Sequence, residues 1–412
     1  MTRISKVSLL SISDCTEKNG VVTFIDTFRR RKTDFLQNGL DITAYCYRDA
    51  PDIAQSGAAA ATGLPPEVTP PAAVSAGARP LHGSVKIRLK AWLNSRPITA
   101  FALFGLSVAS RGAVVYLRAR LRGRPDIFFH QDFFTAFFAA LFGSRKAKHA
   151  LVLHSGTDPL RHLFIWFPAL KNTTYETWIR RAFRYAVERQ DMLIALNQGL
   201  VGQLKEQYQS KPVHCVYNTA LELGGTGSFA KLRHSLNLVA VGSLQYVKGF
   251  DLLIEAIAAL PEADKQRVRV VVVGDGPDRP ALTEAIARHG LTGRVMLVGN
   301  TDNVGYYLKG ADAFILTSRD EGLPIALIEA LQIGLPVIST RVGTIPEIMG
   351  EDECAFIGGS IVDIQEKISQ ILDGKIDLAA MSGASFEIYR KKLSPEIFVN
   401  KYSRILRELQ AA

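Results

Sequence analysis

The sequence predicts an α/β protein built from two doubly wound parallel sheets. Three observations predict it. The 412 residues exceed what one hydrophobic core usually serves. Short β-branched runs alternate with longer helical patterns, the signature of parallel strands joined by crossover helices. A glycine-rich stretch then divides those runs into two sets of about six. Strands are expected at 6–13, 41–47, 126–131, 149–155, 192–197 and 213–218, and again at 236–244, 268–274, 294–299, 311–318, 336–340 and 355–357. The divider, Leu-Glu-Leu-Gly-Gly-Thr-Gly-Ser at 221–228, reads as a linker between an N-terminal domain, 1–220, and a second domain, 229–394. Residues 50–83 are dominated by Ala, Pro and Gly without an apolar period and read as a flexible surface insertion. The end of the chain, 395–412, carries an amphipathic helix with Ile397, Phe398, Tyr402, Ile405, Leu406 and Leu409 on one face.

Composition narrows the class. Hydrophobic residues make up 47% and charged residues 21%, close to the averages for folded soluble chains. Four cysteines stand without Cys-x-x-Cys spacing, so they read as reduced core residues of a cytoplasmic protein rather than as metal ligands. No secretory signal is expected at the amino terminus, and the apolar stretches 97–110 and 133–143 fall short of a membrane span. The net charge of +10 points to an anionic partner. Between Lys86 and Arg124 lie nine basic residues and no acidic one, interspersed with Trp92, Phe101, Leu106 and Tyr116. That mixture suits a peripheral contact with anionic lipid, and no nucleic-acid-binding motif accompanies it.

The chemistry concentrates after the strand expected at 311–318. Glu321 stands at that strand's carboxyl end, and Gly322, Leu323 and Pro324 open a helix whose free amides can attract phosphate. Glu329 is the one charged residue between Gly322 and Thr340, so its carboxylate needs a partner such as ribose hydroxyls. Upstream, Lys248-Gly249 lies in a strand-to-helix loop where an ammonium can neutralise a diphosphate.

Together, Glu321-Gly-Leu-Pro-Ile-Ala-Leu-Ile-Glu329, the flanking Ala311-Asp-Ala-Phe-Ile-Leu-Thr-Ser318 and the run from Gly334 to Glu347 resemble the Glu-x7-Glu motif region of retaining glycosyltransferases with the GT-B architecture. The resemblance implies two Rossmann-like domains facing a cleft, with the last helix crossing back to the first domain. It implies that Glu321 sits beside the transferred sugar and that Glu329 holds the nucleotide ribose. Lys248 matches a family phosphate cation, while Ser243 stands where the family usually places an arginine. Gly20, between the first strand and a helix, matches a glycine-rich loop near the donor phosphates, and Gly299 is placed with the donor residues. His154 resembles the family histidine that contacts the donor sugar; His130 and Asp132 fit the acceptor side by the same logic.

No two aspartates stand two apart, so the metal-binding Asp-x-Asp of the other main glycosyltransferase architecture is absent and a metal-independent reaction is expected, without cofactor. The expected function is hexosyl transfer from a nucleotide-diphospho-sugar, with GDP-mannose the first guess, to a lipid-linked saccharide in bacterial exopolysaccharide or lipopolysaccharide assembly. The expected location is the inner face of the cell membrane. A sugar-nucleotide epimerase on the same fold and a basic nucleic-acid-binding protein are the alternatives.

Overall fold

The computed structural model describes residues 4–14, 20–48, 96–143, 146–154, 158–224 and 227–412. The expected insertion 50–83 and the start of the basic segment, 86–95, lie outside them. Each half contains one parallel six-stranded sheet, and the two together form a GT-B-like fold. The first sheet comprises β1 (Ser5–Asp14), β2 (Leu40–Arg48), β3 (Ile127–His130), β4 (Lys148–Leu153), β5 (Met192–Ala195) and β6 (Val213–Cys215), in the order β2-β1-β3-β4-β5-β6. The second comprises β7 (Leu236–Val241), β8 (Val268–Val273), β9 (Val295–Gly299), β10 (Ala313–Leu316), β11 (Val337–Thr340) and β12 (Cys354–Ile357), in the order β12-β11-β10-β7-β8-β9.

Both orders reverse direction once. The chain leaves β1 for one edge and then returns to place β3 on its other side; it does the same at β7 and β10. At such a switch point the loops diverge to opposite faces and leave a crevice outside the strands' carboxyl ends, which is where open α/β sheets bind ligands. The strands are largely apolar because helices cover both faces, although β1 and β2 also carry residues such as Ser8, Ser11 and Asp41. β3, β5, β10, β11 and β12 are buried at every residue.

Strand alternation divides the first domain into two packed layers. On one face Val7, Leu9, Phe24, Phe28 and Phe129 form a core with Phe398, Val399, Tyr402, Ile405, Leu406 and Leu409 of the last helix, Pro395–Ala411. That helix therefore belongs by contact to the first sheet although it follows the second in sequence. Phe28 meets the Phe398 and Tyr402 rings at centroid distances of 5.1 and 5.2 Å in edge-to-face geometry.

On the opposite face Leu10 and Phe128 meet Val115, Tyr116 and Ala119. These belong to a helix, Pro97–Gly123, that continues through a π-helical turn, Gly105–Ala109. The apolar stretch expected to stop at residue 110 is thus part of a 27-residue helix that is long and apolar enough to cross a membrane by length and composition. Its inner side is engaged with the sheet. At Gly112 a Cβ would lie 2.7 Å from the Phe134 Cβ, so glycine lets this helix press against its neighbour Phe133–Phe142. Cys46 is disulfide-bonded, correcting the expectation of four reduced thiols, whereas Cys215 and Cys354 are free. One ground for assigning a reducing compartment goes with that expectation.

Phe398 is 2% exposed at the centre of the ring cluster. Phe398→Ala is expected to destabilise the protein by about 3–5 kcal/mol, the usual cost of emptying an aromatic core position. Denaturant unfolding checks it; a loss below about 1 kcal/mol would mean that the last helix is not part of the first domain's core.

Candidate functional site

Four loops from the carboxyl ends of β7, β8, β10 and β11 converge at the switch point of the second sheet, and they approach more closely than side chains permit. A Cβ on Gly249, at φ 66°, would lie 2.0 Å from the Thr317 carbonyl oxygen. A Cβ on Gly343, at φ 56°, would lie 2.2 and 2.3 Å from the carbonyl oxygens of Gly322 and Glu321. Glycine alone fits such contacts in left-handed backbone. Hydrogen bonds then fasten the loops: the Arg319 amide donates to Val247 O at 2.8 Å, the Thr344 amide to Gly322 O at 2.9 Å, and Thr340 Oγ1 to Ser318 O at 2.7 Å.

These contacts bring two of the expected residues together. Lys248 Nζ donates to Glu321 Oε1 at 2.6 Å, and Ser318 Oγ donates to the same oxygen at 2.8 Å. The two ionic side chains are 22% and 9% exposed, so solvent screens the pair only in part. Directly after Glu321, Gly322 and Leu323 lead to Pro324, the N-cap of the helix Ile325–Gln332. Leu323 points into the core, so it offers the site its backbone alone. Glu329 lies in that helix, half-buried, about one turn beyond its first residue.

Other cations near the site are engaged in holding the loops. Arg319 forks onto Asp251 at 2.8 and 2.6 Å and stacks over Tyr246 at 3.8 Å. Arg279 donates to Asp275 Oδ1 at 2.8 Å, and Gly299 lies beside it, where a Cβ would come 3.4 Å from the guanidinium. Ser243 is exposed just past β7. Sequence reasoning passed over Ser318, Arg319 and Arg279; their position after strand ends was the available signal.

The first domain faces this cluster with His154, just beyond β4. Its carbonyl oxygen lies 3.7 Å from where a Cβ on Gly322 would stand, which brings the histidine loop against the glutamate loop. The His154 ring meets Phe24 edge-on at 5.0 Å, and its Nε2 pairs with Gln131 Oε1 at 2.8 Å. Burial lowers its pKa to about 4, so the ring is neutral near pH 7. Gly20 is the first residue of the helix Gly20–Arg30.

His130 and Asp132 lie inside the domain. The His130 ring contacts Thr135 Oγ1 at 3.1 Å and His149 Nδ1 at 3.2 Å, and burial together with the His149 charge holds its pKa well below the usual value. Asp132 caps the helix Phe133–Phe142, accepting from the Thr135 amide at 2.9 Å, and accepts from the Ile12 amide at 2.9 Å. Burial raises its pKa to about 6. Their polar atoms are taken up by the domain's own structure.

The domains are joined close to the cleft. Glu347 accepts from the amides of Gln198 and Gly199 at 2.7 and 3.2 Å, the opening residues of the helix Gln198–Gln207. A carboxylate from the second domain thus caps a helix of the first, where the dipole favours negative charge. Arg161 of the first domain and Asp320 of the second form an ion pair.

Residues 231–386 match the family model "Glycosyl transferases group 1". The chain is 24% identical over 239 residues to N-acetyl-alpha-D-glucosaminyl L-malate synthase of Bacillus anthracis, covering 55% of this chain and 62% of the relative. It is 32% identical over 186 residues to a putative teichuronic acid biosynthesis glycosyltransferase, TuaC, of Bacillus subtilis, covering 43% of this chain and 45% of the relative. The chain thus spans less than two thirds of either relative's length. Among solved structures, Anabaena HepE in complex with UDP-glucose matches with a TM-score of 0.65 at 16% identity, covering 98% of this chain and 100% of that one. The family match thus falls on the second domain, and the structural likeness is one of GT-B fold.

The buried imidazoles make stability pH-dependent. Unfolded histidines take up protons near pH 6.5, so the contribution of neutral His130 and His154 is present above that value and is lost as pH falls toward about 4, the folded value for His154. Asp132 works in the opposite sense, because its raised pKa favours the folded form as pH falls through about 6. Thermal unfolding from pH 7 to 4.5 is expected to show a falling midpoint, and His154→Gln a shallower fall. Parallel curves would remove His154 from this account.

Proposed function

We propose that this protein is a retaining, metal-independent glycosyltransferase that moves a hexosyl group from a nucleotide-diphospho-sugar to a lipid-linked glycan acceptor, at the cytoplasmic face of a bacterial membrane. The observation that carries the reading is the Lys248–Glu321 pair, set before a helix amino terminus and across the cleft from His154.

In this reading the diphosphate draws Lys248 toward itself and meets the amides after Pro324, so that a side chain and a helix terminus offset the leaving charge. Glu329 takes the ribose hydroxyls. Glu321, released from the ammonium and still held by Ser318, stands beside the sugar as positive charge develops at C1. The bond from C1 to the phosphate oxygen breaks, the acceptor oxygen bonds C1 on the same face, and its proton passes to the leaving phosphate. The printed description of HepE names UDP-glucose, which favours a UDP-hexose over GDP-mannose as the first donor to try.

The membrane side of the reading rests on the helix Pro97–Gly123. Its outer stripe runs Ile98, Ala102, Leu106, Ser110, Val114, Leu117, Leu121, at steps of four residues with a single step of three. Ile98, Leu106 and Leu121 are each at least 70% exposed. Arg118, Arg120, Arg122 and Arg124 flank its last two turns and offer charge to anionic headgroups.

Nucleotide release over a donor panel with lipid-linked oligosaccharide extract tests the chemistry. Glu321→Gln is expected to lower turnover by about 10²–10³-fold, and Lys248→Ala to raise the donor KM by about 10-fold or more. Silence across the panel from folded protein would sink the reading. An epimerase would release no free nucleotide, and a nucleic-acid binder would keep its steeply salt-dependent affinity in Glu321→Gln. In liposome flotation, anionic vesicles are expected to carry the protein and neutral ones to carry less. Leu106→Asp with Leu121→Asp, or reversal of Arg118, Arg120 and Arg122, should weaken it. Equal flotation throughout would remove the membrane contact.

A further inference from the structure

We propose that Gln131 is the positioning residue of the candidate active site: its side-chain carbonyl holds His154 as the neutral Nε2–H tautomer and so leaves Nδ1 as the ring's acceptor. The inference rests on the glycosyltransferase reading for its bearing on turnover, while the pairing itself stands on geometry.

Gln131 follows β3, and its amide donates to Leu10 O at 2.9 Å, which extends the β1–β3 pairing to the carboxyl edge. Successive side chains on extended chain alternate faces. His130 and Asp132 therefore project to the side of Thr135 and His149, and Gln131 to the side of Phe24 and His154. This is the switch point of the first sheet, opposite that of the second.

Among the described residues, three groups are recorded against His154. Phe24 covers the ring edge-on at 5.0 Å, Gln131 accepts at 2.8 Å, and Gly322 faces the backbone from the second domain. The carboxylate and cation of the facing loop, Glu321 and Lys248, are paired to each other. An uncharged acceptor on Nε2 fixes the tautomer while favouring the imidazolium far less than a carboxylate in the same place would. Gln131 is 4% exposed, and its amide nitrogen has no hydrogen-bond partner among the described residues.

Histidine-labelled protein followed by 15N NMR tests the pairing without substrate. The parent is expected to show His154 as the Nε2–H tautomer, neutral throughout pH 5.5–8. Gln131→Glu should raise the His154 pKa by at least about one unit, since a carboxylate favours the charged ring. Gln131→Leu should abolish the tautomer preference without raising the pKa. Unchanged His154 signals in both variants would overturn the proposal.

Nucleotide release supplies the second arm. Gln131→Leu is expected to lower kcat by about 10-fold or more with a smaller change in donor KM, and Gln131→Glu to suppress turnover at low pH and recover it as the ring deprotonates. A parent-like kcat and pH profile in both variants would overturn the positioning role. Absence of turnover in the parent as well would instead defeat the glycosyltransferase reading, and the NMR arm would still decide the pairing.

Discussion

The second domain's site depends on backbone meeting backbone. A loop that carries a lysine after β7 and a loop that carries a glutamate after β10 can present a 2.6 Å ion pair only if the chain segments behind those residues nearly touch. The contact between Gly249 and the Thr317 carbonyl removes the room that a Cβ would need, and Gly343 does the same beneath Glu321. The functional side chains are thus placed by residues that have none. Arg319 and Arg279 reinforce the arrangement by tying each loop to its neighbour, which explains why these cations are occupied with carboxylates and carbonyls of the same domain.

The two halves of the cleft are held by different forces. Within each domain the loops rest on a sheet whose strands are apolar on both faces, so their roots are as fixed as the core. Between domains the contacts near the cleft are polar: the Glu347 carboxylate on a helix terminus, and the Arg161–Asp320 pair. Polar contacts of this kind exchange with water at modest net cost. The last helix adds an apolar component, because its core-forming residues sit in the first domain while its chain departs from the second.

Most of the fold was legible because parallel strands covered on both sides must be apolar along their length. Runs such as Val-Arg-Val-Val-Val-Val at β8 admit few other readings. Lys248, Glu321 and Glu329 were singled out through a family pattern, and the first two are in contact. Gln131 was not, because its role turns on which residue of a strand end faces the cleft, and that parity depends on a register the sequence does not display. The two neighbours singled out in its place, His130 and Asp132, are more reactive residue types, and burial has turned both inward. The apolar stretch 97–110 was read as ending before the basic residues, whereas the helix Pro97–Gly123 continues past Arg111 and passes through a π-helical turn at Gly105–Ala109.

Lys248 and Glu321 neutralise each other. On the proposed function an incoming diphosphate meets a cation that already has an anion, and its binding is an exchange of partners rather than a simple attraction. Small free anions gain little from such a swap, since they must displace a carboxylate that Ser318 also holds. A ligand that brings both a phosphate for the ammonium and a sugar for the freed carboxylate satisfies both ends at once. On that reading the ion pair is itself a filter, one that responds to two parts of a molecule together and little to either part alone.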